Sequence, residues 1–165
     1  MLNKIFQFLL TFTLFVSLNS FAQEMKPEAG KLYNEGNSLL KAGNYNGAVE
    51  KYDQALAIEK DYRIFYQKGV ALKKADKLDA ARIAFEECLK LSPNNEAALN
   101  ALGGTYFSMG DYTKAIETFD KVLSVSKNNS IKDKVKKNMS LAYTKLGNQA
   151  MSSGNANKAV EYLNK

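Results

Sequence analysis

Four times in this chain a glycine is followed twelve residues later by an alanine: Gly36 and Ala48, Gly69 and Ala81, Gly103 and Ala115, Gly147 and Ala159. An aromatic residue or leucine stands four residues beyond each alanine, as Tyr52, Phe85, Phe119 and Leu163, and an anchor stands four before each glycine, as Leu32, Phe65, Leu99 and Tyr143. Spacings of four put side chains on one face of an α-helix. Each copy therefore reads as a helix, a reversal and a second helix. A glycine inside a helix costs roughly 0.5–1 kcal/mol relative to alanine. Its return at the same register requires a compensating contact, and a bare glycine opposite a small alanine predicts close approach of the two helix backbones.

The third copy, residues 96–129, shows the pattern most fully. Leu99, Leu102, Gly103 and Tyr106 share one face of its first helix, Gly110 suits a left-handed helix end, and Asp111 can accept from the free N–H groups that open the second helix. That second helix buries Tyr112, Ala115, Phe119 and Val122. The first copy has a helix from about Glu28 to Lys41, opened by Pro27, then a turn at Gly43-Asn44 and a helix from Tyr45 to Ile58. The second runs from Asp61 to Leu91 and has Asp76 where the others have Gly43, Gly110 and Gly154, a mild departure because Asp tolerates the left-handed region. Pro93 stops that copy, and Asn95 can cap the next helix.

With its helix-pair units and glycine-to-glycine spacings of 33, 34 and 44, the chain resembles the tetratricopeptide repeat family over about residues 29–163. None of the units has the family's frequent Trp near the start of its first helix, and only Pro93 stands at the inter-repeat proline position, with Lys60 and Lys127 elsewhere. The resemblance implies an all-α fold, an α-solenoid of stacked antiparallel helix pairs. Units 29–61, 62–95 and 96–129 would be complete, and unit 130–165 would have an extended first helix and a truncated second one. Ser130 to Met139 are ten extra residues that keep helical spacing through Ile131, Val135, Met139, Leu146 and Ala150, so one helix is expected over 130–152. Lys132, Lys134, Lys136 and Lys137 on it form either a basic overhang for anionic lipid or an acidic partner, or a solvated face interrupted by Asp133. The chain stops soon after Leu163 without a polar capping helix, which suggests a portion of a longer protein.

Residues 1–22 have a different composition. Lys4 precedes a mostly apolar stretch from Ile5 to Leu18, and Ser20-Phe21-Ala22 is a small-x-small ending. The pattern is that of a secretory signal peptide with cleavage after Ala22, placing the mature protein in the periplasm or cell envelope. A membrane anchor is the alternative, but the apolar run falls short of the roughly 20 residues a spanning helix needs. Residues 23–28 then read as a linker. Gln23 offers no lipid-attachment cysteine.

Catalysis has little support. The chain has no His, so Ser-His and Cys-His nucleophiles and histidine metal sites are excluded. No phosphate-loop or dinucleotide fingerprint is present, and Gly103-Gly104 lies mid-helix rather than after a strand. No enzyme activity, cofactor or metal is expected. Cys88 is the one cysteine and occupies an apolar slot matching Ala55 and Val122, which marks it as core. The net charge of +6 becomes +5 once Lys4 is removed with residues 1–22, and 21 of the 23 basic residues are Lys. That composition does not nominate nucleic acid. Any membrane association would be weakly electrostatic.

What remains is a surface for binding protein or peptide segments. Residues three before, one after and four after each glycine lie opposite the packed anchor, and from these the candidate groove residues are Tyr33, Asn37, Tyr66, Lys73, Asn100, Gly104, Phe107, Thr144 and Asn148. Leu40, Val70 and Met151 share those registers but are expected to pack between neighbouring first helices. Asn can hydrogen-bond an extended backbone, while Tyr and Phe offer contact area at low entropy cost. A known use of the family, clamping a partner's C-terminal carboxylate with Lys and Arg, is not matched, since Tyr33, Asn100 and Gly104 fill the basic positions and only Asn37 fits. The leading expectation is a non-catalytic scaffold of the bacterial cell envelope. The alternative is a self-associating or supporting repeat region of a longer protein whose activity lies beyond Lys165.

Overall fold

A computed structural model describes residues 24–165, so the expected signal segment 1–22 lies outside the described residues. Among the described residues there are eight α-helices and no strand: α1 (Pro27–Lys41), α2 (Tyr45–Ile58), α3 (Tyr62–Lys74), α4 (Leu78–Leu91), α5 (Glu96–Ser108), α6 (Tyr112–Val125), α7 (Asn129–Ser152) and α8 (Ala156–Leu163). Helices pair in order, α1 with α2 through α7 with α8, and each pair packs on the next. The fold is an all-α solenoid.

Local chemistry sets the boundaries. Pro27 is already the first residue of α1, so the helix begins inside the stretch expected as linker. The Lys26 backbone N–H donates to Glu59 Oε2 at 2.6 Å and ties that start to the end of α2. Asn44, Asn95, Asp111 and Asn155 each accept, through a side-chain oxygen, from the backbone N–H three residues on, which satisfies donors a helix start leaves free. The reversals within pairs use the left-handed region: Gly110 has φ +82° and Asp76, its counterpart, φ 58°. Residues 130–152 form one helix as the spacing predicts, with α7 starting one residue earlier after the Asn128 cap.

The packing refines the expected glycine–alanine contact. A Cβ added to Gly103 would lie 2.6 Å from Phe119 Cε1, and one on Gly36 or Gly69 the same distance from the ring of Tyr52 or Phe85. The glycine clears space for the ring sixteen residues later. Ala48, Ala81 and Ala115 are fully buried beside these rings. In the last pair Gly147 faces Leu163 in the same way, but α8 has only eight residues and Leu163 stays 48% exposed. Tyr112, expected in the core, is only half-buried. Val135 in the extended part of α7 is fully buried with Val122 and Phe119, which is how the added turns join the core. Cys88 is buried, and burial pushes its thiol up to about 11. No helix among the described residues is long and apolar enough to cross a membrane.

Candidate functional site

The first helices, α1, α3, α5 and α7, touch one another in succession, while no second helix approaches the next second helix. The stack is therefore bent with its first helices inside, and their shared face forms a groove. The groove is uneven along its length.

At the α1 end the fold uses its own polar groups. The Tyr52 hydroxyl donates to Asn37 Oδ1 at 2.8 Å, and the rings of Tyr33 and Tyr52 lie 6.1 Å apart at 47°. Burial, with a smaller contribution from Tyr33, raises the Tyr52 hydroxyl well above the usual tyrosine range. Asn37 was expected to present its amide to a ligand; its carbonyl instead satisfies a core hydroxyl that has no water to turn to. Tyr66 likewise covers Phe85, with centroids 6.0 Å apart, and burial raises its hydroxyl.

The α3–α5 region differs. Asn100 Oδ1 is buried and has no hydrogen-bond partner. Lys73, in the last turn of α3, reaches across to α5, where its Nζ would sit 2.9 Å from a Cβ placed on Gly104. Burial lowers the Lys73 ammonium below the ordinary lysine range, and it has no hydrogen-bond or ion-pair partner among the described residues. Gly104, Phe107, Phe119, Asn138 and Leu141 enclose a mainly apolar pocket of about 120 Å³. The structure thus brings Lys73, Gly104 and Phe107 to one place, with Asn100 one turn before Gly104 on the same helix.

Thr144 and Asn148 stand apart from that cluster. The Thr144 hydroxyl donates to its own helix at Ser140 O, 2.9 Å away, and Asn148 lines an open cleft with Tyr112, Lys145, Gln149, Ser152 and Ser153. The Tyr112 ring also meets Phe107 edge-on at 5.2 Å. Met151, expected to pack between neighbouring first helices, is 60% exposed, whereas Leu40 and Val70 do pack against the core. Asn138 and Leu141 were missed by the sequence reading, which placed groove registers only by reference to Gly147. The helical continuity through the ten extra residues was the signal that α7 carries its inner face further.

Comparison with known proteins agrees with this architecture. The chain is 28% identical over 134 residues to small glutamine-rich tetratricopeptide repeat-containing protein 2 of Mycosarcoma maydis, covering 81% of this chain and 37% of that protein. It is 27% identical over 96 residues to the Hsp70-Hsp90 organizing protein of Triticum aestivum, covering 58% of this chain and 16% of that one. The chain therefore spans well under half the length of either curated relative. The crystal structure of MamA superposes with a TM-score of 0.60 at 26% identity, over 84% of this chain and 77% of MamA. Two models of the tetratricopeptide repeat match residues 33–96 and 72–131, across the first three helix pairs with their caps and glycine–ring contacts, and the chain belongs to that family.

Proposed function

We propose that this chain is a non-catalytic interaction module of the bacterial cell envelope that holds extended segments of partner proteins along the groove of α1, α3, α5 and α7. One observation carries the reading: the α3–α5 part of the groove leaves a cation and an amide carbonyl without partners beside an apolar pocket. Such groups cost free energy in the empty protein and gain it when a peptide supplies the missing donor and acceptor. A relative whose name makes it an organizer of Hsp70 and Hsp90 supports protein segments as the class of ligand. A peptide array drawn from envelope proteins, followed by titration, tests the reading. Saturable binding that Phe107→Ala weakens, measured well below the lowered melting temperature that loss of its contact with Tyr112 brings, supports it, and binding unaffected by that change moves the site elsewhere.

The envelope setting rests on residues 1–22, whose short apolar run and small-residue ending fit cleavage after Ala22. Mass measurement on protein recovered from an envelope fraction should find a mature start at Gln23. A start at Met1 would remove the export reading. The second reading, a self-associating structural part, draws on exposed Met151, Val160 and Leu163 at 60%, 58% and 48% on the last helix pair. Sedimentation of the protein without ligand separates the two, since concentration-dependent association favours the second.

A further inference from the structure

The Lys73 ammonium, half-buried and without a counter-ion, lies directly over Gly104. Gly104 also forms part of the wall of the apolar pocket with Phe107, Phe119 and Leu141, so the cation and the pocket meet across a single side-chain-free residue. One turn earlier on α5, Asn100 Oδ1 is buried with no donor. Three deficits therefore lie along one short stretch: a cation lacking an acceptor, a carbonyl lacking a donor, and an apolar cavity with the space of about four water molecules. An extended peptide can fill all three at once. Its backbone N–H groups suit the carbonyl, and its side chains at i and i+2 project to the same side about 7 Å apart. The cation and the pocket are neighbours on that scale.

We propose that the groove selects an internal, extended segment in which an acidic side chain pairs with Lys73 and an aliphatic side chain two residues away fills the pocket beside Phe107 and Phe119. A small shift of the side chains over Asn100 opens its buried Oδ1 to a backbone N–H of the same segment. This rests on the groove reading above and adds its specificity. Lys73 is the only charged residue among the groove registers next to the four repeat glycines, so the site matches one carboxylate. A chain ending in an acidic residue brings two. The single acid of an internal segment is the better electrostatic fit, and the pairing removes the cost that burial places on Lys73.

The test uses short peptides acetylated at the N-terminus and amidated at the C-terminus, so that no free carboxyl terminus is present, in a fixed-register positional library. The expected result is enrichment of Asp or Glu two positions from Leu, Ile, Val or Met, with about tenfold weaker binding when the acid becomes its amide. Lys73→Met should keep the aliphatic preference, lose the acid preference, and melt no lower than the parent, because it removes a half-buried unpaired charge and keeps the aliphatic stem. Lys73→Glu should turn the preference towards Lys or Arg. Peptides bound with no acid preference, or an acid preference that survives both Lys73 variants, overturn this proposal and leave the groove reading standing. A parallel library with a free C-terminal carboxylate serves as the control, and enrichment that appears only there also overturns it. Failure of every peptide to bind saturably overturns both.

Discussion

In the first two units a tyrosine three residues before the glycine lies against the ring that the second helix buries, Tyr33 on Tyr52 and Tyr66 on Phe85. The third unit has Asn100 at that register, and Phe119 has no ring partner among the described residues; it borders the pocket instead. The residue just after the glycine changes in step. Asn37 meets the hydroxyl of Tyr52, whereas Gly104 leaves an opening that Lys73 spans. The same backbone repeat thus carries a closed section and an open one. The difference comes from two side-chain choices rather than from any change in helix geometry. A repeat scaffold can therefore place a binding site by withholding a covering ring from one unit, while the glycine, alanine and ring that hold the pair together stay as they are.

The largest expected effect tests what the sections share. Gly103→Leu would force a branched side chain into space that the Phe119 ring occupies 2.6 Å from the first added carbon. Leu gains up to about 1 kcal/mol of helix propensity over Gly, but overpacking should outweigh it and leave a loss of about 1–3 kcal/mol or more. Gly69→Leu should lose a similar amount, since Phe85 stands at the same distance. Chemical denaturation of both variants checks the point. Equal stability of Gly103→Leu and the parent would show the open section to be loosely packed throughout and not just uncovered on its groove side.

The next effect separates the sections. Asn37→Ala removes the acceptor of a buried hydroxyl, and an unsatisfied buried donor costs about 1–3 kcal/mol, so a lowered melting temperature is expected. A neutral result would mean that water reaches Tyr52 and that the closed section is more open than its geometry implies.

These contrasts also show how far the sequence could be read. Helix ends were legible because caps and left-handed residues act locally: Asn44, Asn95 and Asp111 do what their residue types favour wherever a helix starts. The place of the ring in the glycine–alanine contact was not legible, because register alone ignores side-chain direction. Helical side chains lean towards their own N-terminus, so Phe119 reaches back over the level of Ala115 and fills the space that both small residues leave. That the Asn37 carbonyl is engaged was hinted at in pairs fifteen residues apart: Asn37 with Tyr52, Val70 with Phe85, Gly104 with Phe119. Only the pair with a hydroxyl has an amide to receive it among the first three units. The reach of Lys73 across to Gly104 was not legible, because it depends on how far α3 stands from α5.

A smaller effect with a distinctive pH course concerns the same hydroxyl from its other side. Tyr52→Phe deletes the hydrogen bond to Asn37 and should cost about 0.5–1.5 kcal/mol at neutral pH. Because burial raises the native Tyr52 hydroxyl above its ordinary range, the folded state holds the proton while the unfolded chain releases it near pH 10. The stability from this group is thus full below pH 10 and declines as pH rises beyond it. Phenylalanine has no such loss. The gap between variant and parent should narrow and then reverse in denaturation series taken above pH 10, and a constant gap would mean that Tyr52 ionises as easily folded as unfolded.

Asn100→Ala should have the smallest effect on stability, and it is the sharpest contrast with Asn37→Ala. The two asparagines lie on the groove side of first helices, one turn apart in register, and residue type alone predicts the same outcome for both. Asn100, however, keeps a buried carbonyl without a partner, so truncation removes a group that costs free energy, and alanine is the better helix former. The melting temperature should stay within the range of about 0.5 kcal/mol typical of unengaged positions or rise above the parent. Ligand affinity should fall, because a bound chain loses the acceptor for its backbone N–H. A variant that melts lower than the parent would show that Asn100 supports the fold as Asn37 does, and the division of the groove into closed and open sections would fail at its central residue.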